Sequence, residues 1–143
     1  MKYSYKLSDA IHILAYLAIF RDGDRSSKAI AASIEANPSV VRALMADLKR
    51  AGLIESRPGA ADPNLAREPA QINLLQVYRA LAINHDLLHV DPKTNPACPV
   101  GANIQQSLDE VYAKVQQAAE TQLAETSLAE VVEGIRTRAK LTD

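Results

Sequence analysis

The chain has 143 residues, enough for one domain plus a small extension or oligomerisation element. It is 48% hydrophobic and 23% charged with a net charge of −1, an ordinary globular balance that argues against non-specific coating of nucleic acid. Its one cysteine excludes an internal disulfide and an all-cysteine zinc site, and no apolar run approaches the roughly 18 residues of a membrane span.

The opening stretch MKYSYKLSDAIHILAYLAIF is partly apolar, but Asp9 and His12 interrupt it and it lacks a small-residue cleavage site, so no signal peptide is expected. Residues 7–20 read as a first helix, with Leu7, Ala10, Ile11, Leu14, Leu17 and Ala18 on a broad apolar face. Ser4 or Ser8 can help to cap it, and His12 reads as structural. Arg21–Arg25 is a charged turn.

The next stretch, Ser26 to Arg57, reads as helix, tight turn, helix and the start of a strand. Ser26 or Ser27 caps a second helix from about Lys28 to Glu35, and Ser27 and Lys28 at its start are candidate DNA contacts. Asn37-Pro38 can cap a third helix running to about Ala51, with proline where a missing N–H costs nothing. Val41, Leu44, Met45 and Leu48 give it an apolar face. Gly52 stops it after Lys49-Arg50. Two short helices joined this way place a recognition helix in the major groove of DNA, although a plain helical hairpin has the same spacing. Ser39, Arg42, Ala43, Met45/Ala46 and Lys49 cover the faces open to DNA, and Arg42 can reach a guanine or a phosphate.

Leu53–Ser56 is a short strand, and RPGAADPNLAREP reads as an irregular hairpin, or wing, returning near Leu65–Arg67. Arg57 and Arg67 at its base suit phosphate or minor-groove contact. A helix follows from about Leu74 to Ala82, with Leu75, Val77, Tyr78 and Leu81 as candidate core. Residues 83–100 are loop-like and hold His85, His89 and Cys98, but no fourth ligand completes a metal set. Cys98 precedes a helix N-terminus, which can lower its pKa; the thiol is either a redox sensor or a small buried hydrophobe.

Residues 102–124 form a long helix. Ile104, Leu108, Val111, Val115 and Ala118 repeat by four and three, about three heptads, and a helix near 35 Å long outgrows a small winged domain. It calls for a partner, most simply the same helix of a second subunit, with Ile104, Leu108, Val111 and Val115 at the dimer interface. Ser127 and Glu130 form a capping box for a last helix with Leu128, Val131, Val132 and Ile135 apolar, and residues 136–143 are expected to fray. Residues 1–70 carry 10 Lys/Arg and 8 Asp/Glu, a balance of +2, whereas residues 71–143 carry 6 and 9, a balance of −3. That asymmetry fits a DNA-facing N-terminal half. No phosphate loop, HExxH motif, paired-acid site or ordered triad is present, so the chain is not expected to be an enzyme.

Together these segments predict a mainly α fold with a small β-hairpin wing: a winged helix-turn-helix plus a long C-terminal dimerisation helix. The expected division is a DNA-binding domain over 1–82, a connecting loop over 83–100, and the dimerisation and C-terminal helices over 101–138.

The stretches KYSYKLSDAIHILAYLA, the helix-turn-helix at 27–50, AGLIESRPGAADPNLAREPAQINLLQVYRAL, CPVGANIQQSLDEV and ETSLAEVV together resemble the Rrf2 family of bacterial winged helix-turn-helix transcription regulators. The resemblance covers nearly the whole chain and is strongest to the cluster-free, YwnA-like branch. It implies a cytoplasmic homodimer held by the long helix, gripping a near-palindromic double-stranded operator through Ser39, Val40, Arg42, Arg57 and the wing. Iron–sulfur members carry three cysteines before the dimer helix; this chain keeps only Cys98, and a histidine that assists cluster binding in one branch falls at Gly101. No cofactor or metal is therefore expected, and an acidic recognition-helix residue of that branch is replaced by Arg42. The expected function is a sequence-specific DNA-binding regulator, a homodimeric repressor with no membrane partner. A thiol-based redox regulator acting through Cys98, a small-molecule effector, and a winged-helix module that binds protein instead of DNA are the alternatives.

Overall fold

The computed structural model describes residues 4–57 and 62–141. Six helices run in chain order: α1 Lys6–Ile19, α2 Ser27–Ile34, α3 Pro38–Arg50, α4 Leu74–Ala80, α5 Pro99–Glu125 and α6 Leu128–Ala139. Between α3 and α4 lie β1 Ile54–Glu55 and β2 Asn64–Leu65, an antiparallel pair in which Ile54 faces Leu65 and Glu55 faces Asn64. This is the mainly helical architecture with a small hairpin that the sequence predicts. The expected wing tip, residues 58–61, lies outside the described residues.

α1 is the centre of the core. It packs against α2, α3, α4, α6 and β2, so it is covered on several sides. Ala10, Leu14, Leu17 and Ala18 are buried as expected, and Ile13 and Ala15 join them, whereas Leu7 and Ile11 are only half-buried. Ile13 lies three residues after Ala10 and four before Leu17, on the same face of the helix.

α6 folds back onto this core. Leu128 is fully buried and Val132 nearly so, both in the same cluster as Ile13 and Leu14. The joint is a small backbone lattice: Leu128 N–H donates to Ile72 O at 2.7 Å, and Leu74 N–H donates to Thr126 O at 2.9 Å. α6 therefore shares one hydrophobic core with α1. α6 stays helical through Ala139, past the expected fraying point, and Lys140 closes it in a left-handed conformation.

Local caps explain the element ends. Asn73 and Gln76 form a reciprocal capping box at the start of α4. At α6 the Ser127 hydroxyl accepts the Glu130 N–H at 3.2 Å, the forward half of the expected box. α1 has no side-chain bond from its cap residue; Ser4 Oγ instead accepts Lys6 N–H at 3.3 Å. α4 ends at Ala80, two residues before the expected end, and α5 starts at Pro99, where proline suits the first helical turn.

Candidate nucleic-acid interface

The helix-turn-helix is built by its caps. Ser26 Oγ accepts the Ala29 N–H at 3.2 Å, which selects Ser26 as the α2 cap. The turn is closed by Glu35 in a left-handed conformation and by Ala36 N–H donating to Ala31 O at 3.0 Å. Asn37 Oδ1 then accepts the Ser39 N–H at 3.0 Å, and Pro38 opens α3. Beyond α3, Gly52 takes φ +76°, a conformation that favours glycine, and turns the chain into β1. Asp24 anchors the turn before α2: its Oδ1 accepts the Ser26 N–H at 3.0 Å, and this hydrogen bonding to Ser26 holds its pKa below the usual carboxylate value. His12 bonds Ser33 Oγ at 2.8 Å across α1 and α2, the structural role expected of it.

α3 buries Val41, Leu44 and Leu48 and turns Ser39, Val40, Arg42, Ala43, Ala46 and Lys49 outward. A groove runs between this outward face, the first turn of α2 and the wing, and it gathers Ser27, Arg42, Ala46, Lys49 and Ser56. The acid of α3 is kept out of it. Asp47 pairs with Arg50 and also accepts the Ala82 N–H at 3.3 Å. Arg42 and Lys49 have no ion pair among the described residues, so the groove carries two unpaired cations among small residues (Ser27, Ala46, Ser56) and the apolar Met45 and Ile54. Such a surface lets a helix approach base edges closely while cations reach guanine or phosphate.

The other candidate contacts lie around that groove. Lys28 is exposed on the first turn of α2, and Ser39 and Val40 are exposed at the start of α3. Arg57 is exposed at the base of the wing, 3.8 Å from Glu55, a loose surface pair. Arg67 does not share the α3 groove. It lines a separate depression on the α1 side of the hairpin with Arg21 and Arg25. Arg25 was legible only as part of a charged turn, yet it anchors the wing: its N–H donates to Asp62 Oδ2 at 3.1 Å and its Nη1 to Asn64 Oδ1 at 2.5 Å.

α5 is 27 residues long, roughly 40 Å, and buries none of them fully. One side meets its own chain. Gln116 Nε2 donates to His85 O at 2.6 Å, its Oε1 accepts the Leu87 N–H at 2.9 Å, and Glu120 pairs with Arg79 at 3.1 Å. Leu108 and Ile104 are half-buried beside that side, whereas Val100, Val111 and Val115 are 69%, 51% and 43% exposed. The heptad-like stripe therefore borders the intramolecular contact and faces outward along most of its length.

Cys98 is the cap residue of α5, and the backbone N–H groups of Gly101 and then Val100 hold its thiol below the ordinary pKa. The loop before it is tightly fitted. Thr94 Oγ1 donates to Gly101 O at 2.6 Å, and a Cβ at Gly101 would stand 2.3 Å from Asn95 O. His85 is occupied by Tyr78: its Nε2 lies 2.7 Å from Tyr78 O, and the two rings meet edge-on at 4.8 Å. The donor set consequently does not fit an iron–sulfur cluster. One chain offers a single thiol, residue 101 has no room for a side chain, and no group of three His, Cys, Asp or Glu among the described residues could hold a metal.

Comparison with known proteins agrees with this geometry. The family model Rrf2, described as "Iron-dependent Transcriptional regulator", matches residues 3–134. The chain is 43% identical over 127 residues to "Putative HTH-type transcriptional regulator YwnA" of Bacillus subtilis (strain 168), covering 89% of this chain and 94% of that protein. A crystal structure of "a putative DNA binding protein" is 41% identical with a TM-score of 0.71, covering 88% of this chain and 97% of that one. "T. potens IscR" is 26% identical with a TM-score of 0.71, covering 100% and 93%. Helix-turn-helix, wing, long helix and sequence thus converge: the chain belongs to the Rrf2 family of DNA-binding transcriptional regulators.

Proposed function

We propose that this regulator acts in the cytoplasm as a homodimeric repressor that reads a near-palindromic operator through the α3 groove. The observation that carries the reading is the gathering of Ser27, Arg42, Lys49 and Ser56 on one exposed groove from which Asp47 is withdrawn. In this reading Arg42 reads a base edge, Ser39 and Val40 approach the groove floor, and Lys28, Arg57 and Arg67 contact phosphates. Binding that covers a promoter blocks transcription.

The dimer rests on α5. A stripe of Val100, Ile104, Leu108, Val111 and Val115, left largely open on so long a helix, suits burial against the same stripe of a second subunit. A two-fold pair of this kind matches the symmetry of a palindromic site, with half-sites roughly 34 Å apart or a multiple of that. Gel-shift titration of pure protein on upstream DNA tests the whole reading. Salt-sensitive, sequence-selective binding by a dimer supports it; its absence at every promoter removes it.

One observation favours a second layer of control. The lowered pKa of Cys98 at the start of α5 makes its thiolate more available to oxidants and electrophiles. In this reading, modification of Cys98 alters the dimer helix and releases DNA. A Cys98→Ser protein that releases DNA normally under peroxide and electrophile stress would sink it.

A further inference from the structure

The depression on the α1 side of the wing is separate from the α3 groove. It is lined by Leu17 and Arg21 of α1 and the following turn, by Arg25, and by Leu65, Arg67 and Glu68 of the return strand and the chain after it. Three guanidinium groups therefore face one carboxylate.

Arg25 is the key group. Its Nη1 is committed to Asn64 Oδ1 at 2.5 Å, while its Nε–H is buried and has no acceptor among the described residues. Nε and Nη2 form the side-on edge of a guanidinium, the edge that holds two oxygens of a carboxylate or phosphate at once. A buried donor of this kind is ordinarily satisfied by protein, water or an ion. Among the described residues of the wing, Asn64 and Asp62 already bond other atoms of Arg25.

We propose that this depression binds a small oxyanion, seated on the Nε/Nη2 edge of Arg25 with Arg21 and Arg67 adding charge. Leu17 and Leu65 supply an apolar wall, and Glu68 opposes the ligand on one side and limits its charge. Because Arg25 also anchors Asp62 and Asn64, occupancy stiffens the base of the wing. The effect on operator binding rests on the DNA-binding reading above; the oxyanion site itself does not. The same chemistry has two sources, a free anion and a phosphodiester of bound DNA.

Calorimetric titration of the DNA-free protein with inorganic phosphate separates them, run beside operator binding measured across a salt series. Saturable phosphate binding that weakens about tenfold in Arg25→Lys, which keeps charge but loses the fork, and weakens in Arg21→Ala, establishes a free-anion site. No phosphate binding, together with a salt slope reduced by about one in Arg21→Ala and operator binding that weakens at an unchanged slope in Arg25→Lys, assigns the site to a DNA phosphate. Arg21→Ala leaves the wing anchor intact and removes none of the contacts assigned to the operator above, so it decides the matter if Arg25→Lys unfolds. If phosphate does not bind and Arg21→Ala leaves the salt slope unchanged, the proposal is overturned. A protein that binds phosphate at Arg25 but no DNA would reject the operator reading and keep this one.

Discussion

The carboxylate of Asp47 accepts the backbone N–H of Ala82 at 3.3 Å, tying α3 to the chain two residues beyond α4. The same carboxylate pairs with Arg50, so one side chain both neutralises a charge on α3 and fixes its angle against the next segment. Asp47→Ala should lower stability by about 1 kcal/mol, since it leaves one N–H without its partner while the Arg50 pair is exposed and worth little. Urea unfolding measures this. An unchanged midpoint would show that Asp47 does not hold α3.

Arg42 and Arg57 should fail differently. Arg42→Ala, at the position proposed to read a base, is expected to reduce discrimination between operator and mismatched sites by about 1–3 kcal/mol. Arg57→Ala should weaken binding to all sequences alike and lower the salt slope by about one. Anisotropy titrations on matched and scrambled duplexes at several salt concentrations distinguish the two.

Substituting Val111 or Val115 with Asp places a charge in the exposed stripe of α5 without touching a buried residue. Sedimentation should then show monomers with unchanged helical content. Dimers that persist in the double substitution would move the interface off this stripe.

Gly101→Ala is expected to destabilise the chain by about 1–3 kcal/mol, because its methyl group meets the Asn95 backbone and not a movable side chain. Thermal melting reads it directly. A neutral result would mean that the 94–97 loop yields easily.

The Cys98 thiol has a depressed pKa, caused first by the Gly101 N–H and then by that of Val100. A group depressed in the folded state stabilises the fold when ionised. Its contribution is complete above the pKa of the unfolded thiol and fades as pH falls through the lower folded value. Alkylation by iodoacetamide should accordingly reach half-maximal rate at a lower pH in the native protein than in urea. Coincident profiles would refute the shift.

Much of this architecture is written in short-range chemistry. Asn37-Pro38, Ser26 and Gly52 each act within a few residues, so the helix-turn-helix is legible from spacing and caps alone. The α5 stripe is legible because a seven-residue repeat survives without tertiary context. What escapes the sequence depends on distant partners. Leu128 joins the core of α1 only because its segment returns to Ile72, whose carbonyl accepts the Leu128 N–H. The site divides in the same way. Arg42 and Lys49 share a groove because they share a helix, but Arg67 falls on the opposite side of a hairpin whose strands are only two residues each, too short for periodicity to set a face. Arg25 gains its role from Asn64 and Asp62, nearly forty residues away.

The central claim is that the α3 groove reads a specific operator. Selection of genomic DNA fragments by the purified protein, repeated with Arg42→Ala, tests it most directly. The account predicts one enriched near-palindromic motif whose half-sites lose their sequence preference in the variant. Fragments recovered without any common motif, or an identical motif from the variant, would contradict it.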